Sequence, residues 1–209
     1  VTKELIKSTG ADINVEKVAI SVFLGVKLKG VLIKDHHQDT LIYSKNIQTK
    51  IIGKRKLLNG DLIFGDLKAD NLTFYLTTYK GEENSNINIF VEKFENDNPK
   101  SDKPFILKAK NLKIINGRFK VENQNRETPV VVDFTRLNAS LNDFSIVRDL
   151  ITADAELFSF QYHTGVFVEN LTGKAKYSNN QIHLLDLEAK TKQQTYLKGN
   201  IVLNYNEGD

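Results

Sequence analysis

The chain has 209 residues, of which 40% are hydrophobic, and 29 basic against 26 acidic residues give it a net charge of +3. Because the two signs are interspersed along the chain, the composition argues against a nucleic-acid binder, which would carry a basic block beside aromatic residues. Cysteine is absent, which excludes a disulfide framework, a thiolate metal site and a cysteine nucleophile.

The first predicted element is a short helix at Thr2–Gly10, with Leu5 and Ile6 on one side among lysines and Gly10 as a suitable C-cap. A helix this short is marginal alone, so it must pack on the rest of the chain or continue a helix from upstream. No window approaches the roughly 18 consecutive apolar residues that a membrane-spanning helix needs. The chain opens at Val1 without a methionine, and we expect both of its ends to be cut from a longer protein.

The next stretch, Val18–Ile51, has apolar residues at every second position. A polar cluster interrupts the alternation at Asp35–Thr40, and a second alternating run begins at Leu41. Period-two alternation around a turn predicts a β-hairpin with one apolar face.

Alternating apolar residues continue to the end of the chain, and we expect about 13 to 16 strands of the usual 5 to 8 residues, with almost no helix after residue 10. The tract Lys80–Lys103 is rich in Asn, Glu and Asp and predicts a long polar loop, at about residues 80–104, around one short apolar piece, Ile87–Phe94. The pairs Asn116-Gly117 and Asn179-Asn180 predict hairpin turns.

One pattern recurs about forty residues apart. The segment Leu67–Phe74 reads Leu-Lys-Ala-Asp-Asn-Leu-Thr-Phe, and Leu107–Ile114 reads Leu-Lys-Ala-Lys-Asn-Leu-Lys-Ile. Such a recurrence predicts an elongated sheet built by repetition rather than a closed globule. A long antiparallel sheet with one apolar face must close into a barrel, pair with a second sheet, or curl so that the face lines a groove. Spacing alone does not separate a sandwich from a groove.

Candidate catalytic residues are few. Of the four histidines only His36 and His37, within Asp35–Thr40, are close to acidic residues. Adjacent residues in an extended segment point to opposite faces, so we expect these two not to share a metal ion. The segment is then a solvated turn in which Asp39 and Thr40 bond local backbone.

Sequence motifs for enzyme chemistry are absent too: the chain has no Gly-x-Ser-x-Gly elbow, phosphate-binding glycine loop or His-Glu-x-x-His. Paired carboxylates such as Glu82-Glu83 lie in the polar loop, where a desolvated acid is not expected. We therefore predict no enzyme activity, no catalytic residue, no cofactor and no metal.

The runs Asp12–Ile20, Gly25–Asp35 and Asp39–Tyr43 resemble the start of the AsmA-like TamB proteins of the Bacteroidota, the translocation and assembly module family. Further matches are Leu58–Leu62, Leu72–Phe74, Thr78–Gly81, Ile89–Val91, Asn116–Phe119 and the residues from Leu171 onward.

The resemblance implies an inner-membrane anchor followed by a long, taco-shaped β-groove that crosses the periplasm. It implies phospholipid transport to the outer membrane, and an Omp85-type barrel partner in outer-membrane protein assembly. This chain would be the anchor-proximal segment, with residues 1–11 at the end of the anchor or just after it and residues 12–209 in the groove. The anchor would precede Thr2, and the domain that meets the barrel partner would follow Asp209.

An acyl chain in water costs about 0.8 kcal/mol per exposed methylene, so a trough of apolar side chains can shelter it while the headgroup stays wet. We predict that the lining comes from alternate residues, namely Leu67, Ala69, Leu72, Phe74, Leu107, Leu112, Ile114, Phe119, Val121 and Leu187. Two alternatives stay open: a module that binds an unfolded outer-membrane strand by β-addition, and a structural β-sandwich or adhesin segment with a filled interior.

Overall fold

The computed structural model describes residues 12–20, 25–51, 62–96, 104–148, 150–178, 181–191 and 195–204. The elements in these ranges are β1 (Ile13–Ile20), β2 (Gly25–Lys34), β3 (Thr40–Ile51), β4 (Leu62–Asp70), β5 (Thr73–Thr78), α1 (Asn86–Asn96), β6 (Ile106–Asn123), β7 (Val130–Val147), β8 (Leu150–Tyr162), β9 (Phe167–Ser178), β10 (Gln181–Thr191) and β11 (Tyr196–Asn204). The predicted helix at residues 2–10 lies outside the described residues. Within the described ranges, no helix has the length and apolar character to cross a membrane.

All eleven described strands belong to one sheet, in the order β1-β2-β3-β4-β6-β7-β8-β9-β10-β11. The strand β5 also pairs with β3 and β6, so it takes the same place in the order as β4. Neighbours pair antiparallel except that β4 and β5 run parallel to β6. The two parallel pairings follow from α1, because parallel neighbours need a crossover connection and α1 lies between β5 and β6 in the chain. The prediction of a mainly β, curled sheet is confirmed, and the sheet is mixed rather than wholly antiparallel.

The predicted hairpin is present as β2 and β3, with Leu32 opposite Tyr43 and the turn at the expected polar cluster. By contrast, Asn116-Gly117 is not a hairpin turn. It lies inside β6, where Asn116 has a φ of 51° and the register with β7 shifts between Ile114 and Gly117. The pair marks a β-bulge that bends one strand of 18 residues. Bulges of this kind explain why most of the described strands are longer than predicted.

The second turn signal, Asn179-Asn180, lies outside the described residues. The strands on either side of it, β9 and β10, pair antiparallel, with Ser178 opposite Gln181.

The predicted polar loop contains a helix, α1. Its residues Ile87, Phe90 and Val91 follow the i, i+3, i+4 spacing of one helical face, and all three are buried. They pack in a cluster with Phe105, which precedes β6, and with the sheet residues Leu41, Leu76, Val121, Val132, Ile146 and Tyr177. The prediction of a loop was wrong because the polar composition of the tract hid three apolar positions that share one helical face.

The start of α1 shows how the sheet curls. Asn86 accepts a hydrogen bond of 3.0 Å from the backbone N–H of Thr77 on β5, and the hydroxyls of Ser85 and Tyr177 lie 3.0 Å apart. Tyr177 is on β9, which is separated from β5 by β6, β7 and β8 in the sheet. A short segment can touch both strands only because the sheet folds around it, with its apolar face on the inside.

Candidate functional site

The concave, apolar face of the sheet is the candidate site, and we call it the groove. The helix α1 covers one part of it, in the cluster described above. A second cluster of buried residues is formed by β6, β7 and β8 alone: Ala109, Leu112, Ile114, Leu137, Ala139, Leu141, Ala153 and Phe160. The sheet therefore supplies apolar surface beyond what α1 packs against.

A cavity of about 240 Å³ lies in the groove, and we call it the groove cavity. Its lining runs from Leu72, just before β5, and Phe74, on β5, to Leu184 and Leu187 on β10 and Leu203 on β11. Since β5 and β11 are separated by five strands in the sheet, they meet at one cavity only because the sheet is curled. The lining comes from the sheet and is dominated by Leu, Ile, Val, Phe and Ala.

Phenylalanine rings form a row along the lining. The ring centroids of Phe74 and Phe119 are 5.8 Å apart, those of Phe119 and Phe134 are 6.2 Å apart, and those of Phe134 and Phe158 are 5.9 Å apart. The row crosses β5, β6, β7 and β8, at separations typical of aromatic pairs. All four rings line the groove cavity and are half-buried, so they keep accessible surface on the concave side.

The ten residues predicted to line the groove fall into three groups. Leu72, Phe74, Leu112, Ile114, Phe119 and Leu187 line the groove cavity. Leu107 and Val121 belong to the cluster that α1 covers, and Ala69 is buried. Leu67 lies at a separate depression. Contact of any of them with a lipid stays a prediction.

Apart from Leu187, the lining residues of β7 to β11 were missed. Phe134, Phe158, Leu171, Leu184 and Leu203 all line the groove cavity. Their alternation is visible in the sequence, but the register shifts at bulges in β7, β8, β9 and β10 break the period along each strand. The side of the sheet that each one faces could not be followed from spacing alone.

The depression at Leu67 has a volume of about 750 Å³ and shares Leu112 and Leu141 with the groove cavity. The strand ladders place Val26, Thr49, Leu67, Leu112 and Leu141 side by side across five strands. Charged residues also line it, namely Lys27, Lys50, Lys68, Lys113, Asp66 and Glu156. We call it the lysine depression.

The outer face of the sheet carries an ion pair between β6 and β7. Arg118 donates hydrogen bonds of 3.0 Å and 2.7 Å to the two carboxylate oxygens of Asp133. These bonds lower the pKa of Asp133 below its ordinary value, against the opposing effect of burial. The guanidinium also lies 5.6 Å from the ring centre of Tyr75 on β5. The ion pair links β6 and β7, two strands of the groove wall, on the outer face of the sheet.

The two adjacent histidines are not directed apart as predicted. His36 Nε2 lies 2.9 Å from Glu82 Oε2, and His37 Nε2 lies 2.7 Å from Glu82 Oε1. The expectation failed because residues 35–39 form a turn, in which alternation of faces does not hold. Asp39 also differs from expectation, since its carboxylate accepts a hydrogen bond of 2.9 Å from the hydroxyl of Tyr79.

No protein-family model matches this chain, and no curated protein matches it. The resemblance to the AsmA-like TamB proteins therefore stays a prediction.

Proposed function

We propose that this chain is a segment of a periplasmic lipid bridge, in which the groove shelters the acyl chains of a phospholipid on its way between the inner and the outer membrane. The observation that carries the proposal is the groove cavity, an apolar space inside the curl of one sheet, lined from β5 to β11. The periplasmic location, the inner-membrane anchor and the Omp85-type partner come from the family resemblance and are part of the proposal.

The chemistry of the lining favours a hydrocarbon guest. Water in a cavity needs two to four polar partners, and a cavity with an apolar lining does not hold water well. An acyl chain needs no polar partner, and each methylene that leaves water contributes about 0.8 kcal/mol. The half-buried row of Phe74, Phe119, Phe134 and Phe158 gives a guest a continuous apolar surface across four strands.

Charge near the groove supports a phospholipid over a neutral hydrocarbon. The lysine depression shares Leu112 and Leu141 with the groove cavity and has four lysines in its lining against two acidic residues. A phosphate headgroup in the depression would meet a net positive charge. Anionic lipid surfaces attract lysine by about 1 kcal/mol per residue.

Filling the cavity tests the proposal without removing buried surface. Ala155 on β8 and Ala175 on β9 are half-buried and line the groove cavity. In the double variant A155F/A175F we expect native mass spectrometry to detect little co-purified phospholipid, whereas the unmodified chain retains it. The matched control is Leu157→Phe, which adds a ring at an exposed position of the same strand and should leave lipid content unchanged.

Two outcomes would contradict the proposal. Equal lipid content in A155F/A175F and the unmodified chain would mean that lipid binds elsewhere. A chain that carries no lipid and offers no site to an apolar dye would support the filled structural segment instead. Cross-linking to unfolded outer-membrane protein, with no lipid bound, would favour the β-addition module.

A further inference from the structure

A turn places two imidazoles on the same side of the chain. In residues 35–39 the carboxylate of Asp35 accepts hydrogen bonds of 3.0 Å from the backbone N–H groups of His37 and Asp39, and Gln38 has a φ of 67°. This local bonding folds the segment back on itself. As a result the rings of His36 and His37 lie with their centroids 4.5 Å apart.

A carboxylate from a distant part of the chain meets both rings. Glu82 follows β5, and its backbone is held by hydrogen bonds from its N–H to Tyr79 O, at 3.0 Å, and from Asn125 Nδ2 to its carbonyl, at 2.9 Å. Its side chain approaches Nε2 of His36 and Nε2 of His37 at 2.7 to 3.1 Å.

We propose that His36, His37 and Glu82 form a binding site for a divalent transition-metal ion of the zinc class. The three candidate ligand atoms all lie within 4.8 Å of one another. In a tetrahedral zinc site, bonds of about 2.0 to 2.2 Å put ligand atoms about 3.3 Å apart, so an ion can enter with small side-chain movements. Two imidazoles and one carboxylate are a recognised zinc ligand set, and imidazole disfavours magnesium and calcium.

The surroundings favour a cation. His36 Nδ1 is buried without a hydrogen-bond partner among the described residues. The hydroxyl of Tyr79 donates to the carboxylates of Asp35 and Asp39 at 2.7 and 2.9 Å, and its ring lies 3.9 Å from that of His37. Two carboxylates of the turn, those of Asp35 and Asp39, thus lie near the cluster in addition to that of Glu82. The side chain of His37 is 45% exposed, which leaves a fourth coordination position open to solvent.

A bound ion would join two segments that hold α1 in the groove. Asn86, the first residue of α1, donates a hydrogen bond of 3.0 Å to Asp35 Oδ2, in the same turn as the histidines. Glu82 lies four residues before it. An ion held by His36, His37 and Glu82 would tie the turn between β2 and β3 to the segment that leads into α1, and so stabilise the docked helix.

The test measures Zn²⁺ alone, in competition with a zinc indicator, on the purified chain after treatment with a chelator. We expect one tightly bound Zn²⁺ per chain, and a loss of affinity of about 100-fold or more in each of H36A, H37A and E82Q, since loss of an outer-shell partner alone costs 10- to 100-fold. The control is His163→Ala, an exposed histidine outside the cluster, which should bind Zn²⁺ like the unmodified chain. Co²⁺ substitution gives a second readout through the visible absorption of a tetrahedral ion.

E82Q keeps the size of the side chain and a hydrogen-bond acceptor, so it separates loss of a ligand from loss of the fold. Circular dichroism of each variant checks the fold. The proposal is overturned if the unmodified chain binds Zn²⁺ no more tightly than H36A, H37A and E82Q. It is overturned equally if His163→Ala lowers the affinity as much as they do. The measurement of Zn²⁺ affinity is independent of lipid binding, because His36, His37 and Glu82 lie outside the lining of the groove cavity.

Discussion

The side-chain amide of Asn116 donates a hydrogen bond of 2.7 Å to the side-chain oxygen of Asn71, and both residues have a φ of 51°. They stand at matching bends of neighbouring segments: Asn71 joins β4 to β5, and Asn116 is the bulge in β6. The ladder on either side keeps the same spacing of 45 residues, with Leu67 opposite Leu112 and Phe74 opposite Phe119. The segments β4–β5 and β6 therefore pair at an offset of 45 residues, whereas the recurrence in the sequence has an offset of 40.

The asparagine pair should be energetically coupled. Asn71→Ala and Asn116→Ala each remove the shared hydrogen bond and place Ala in the left-handed region, which Ala adopts less readily than Asn, at a combined cost of about 1 to 2 kcal/mol. We expect each variant to lower the free energy of unfolding by that amount, with a coupling of about 0.5 to 1 kcal/mol in the double variant. Denaturant unfolding of the two single variants and the double variant measures the loss of stability and the coupling energy. Asn170→Ala, at an exposed position of β9, is the control and should change stability by less than about 0.5 kcal/mol; strict additivity of the pair would contradict the coupling.

The helix α1 should stabilise the groove through its apolar face. Phe90 is 7% exposed and packs in the cluster with Leu76 and Val121. Phe90→Ala should lower the free energy of unfolding by about 3 to 5 kcal/mol, because it leaves a cavity between helix and sheet. Lys93→Ala, at an exposed position of the same helix, should stay within about 0.5 kcal/mol of the unmodified chain. Equal effects of the two substitutions would mean that α1 does not dock as described.

The ion pair of Arg118 and Asp133 should make stability depend on pH in the acid range. Because the pair lowers the pKa of Asp133 in the folded protein, its contribution is fully present above the unfolded pKa, about 3.9, and is lost as the pH falls through the folded pKa. Asp133→Asn should therefore cost about 1 kcal/mol at pH 7 and progressively less below about pH 4. The check is denaturant unfolding from pH 3 to 7.

The control for the ion pair is Glu188→Gln, which removes a fully exposed pair with Lys198 and should leave stability unchanged over the same range. A cost of Asp133→Asn that is constant from pH 3 to 7 would show that the lost interaction is not ionic.

The lysine depression should contribute to binding of anionic lipid. In the variant K50Q/K113Q we expect binding to phosphatidylglycerol vesicles to weaken by about tenfold at low salt, and binding to phosphatidylcholine to change little, because screened surface charges act only on the anionic headgroup. The matched control is K108Q/K110Q, two exposed lysines of β6 outside the depression. Equal losses in the two variants would assign the effect to net charge rather than to the depression.

The sequence by itself determined the β class, the hairpin of β2 and β3, and the polar turn between them, because alternation and turn chemistry act over a few residues. It also identified Phe74, Ile114 and Phe119 as apolar positions of one face, and these line the groove cavity. The spacing of Ile87, Phe90 and Val91 is that of one helical face and could have predicted α1, but the polar composition of the tract obscured this spacing.

Only the tertiary structure decided the parallel pairing of β4 and β5 with β6 and its register. Offsets of 40 and of 45 residues both match Leu67, Ala69 and Phe74 with apolar residues, and the choice between them lies in long-range pairing, which joins Asn71 to Asn116. The meeting of His36 and His37 with Glu82 has the same origin, since those contacts span 45 and 46 residues. The alternation of apolar residues along a strand predicts which side of that strand is apolar. The curl of the sheet, and therefore what that side encloses, depends on bulges and a docked helix whose contacts are distant in the chain.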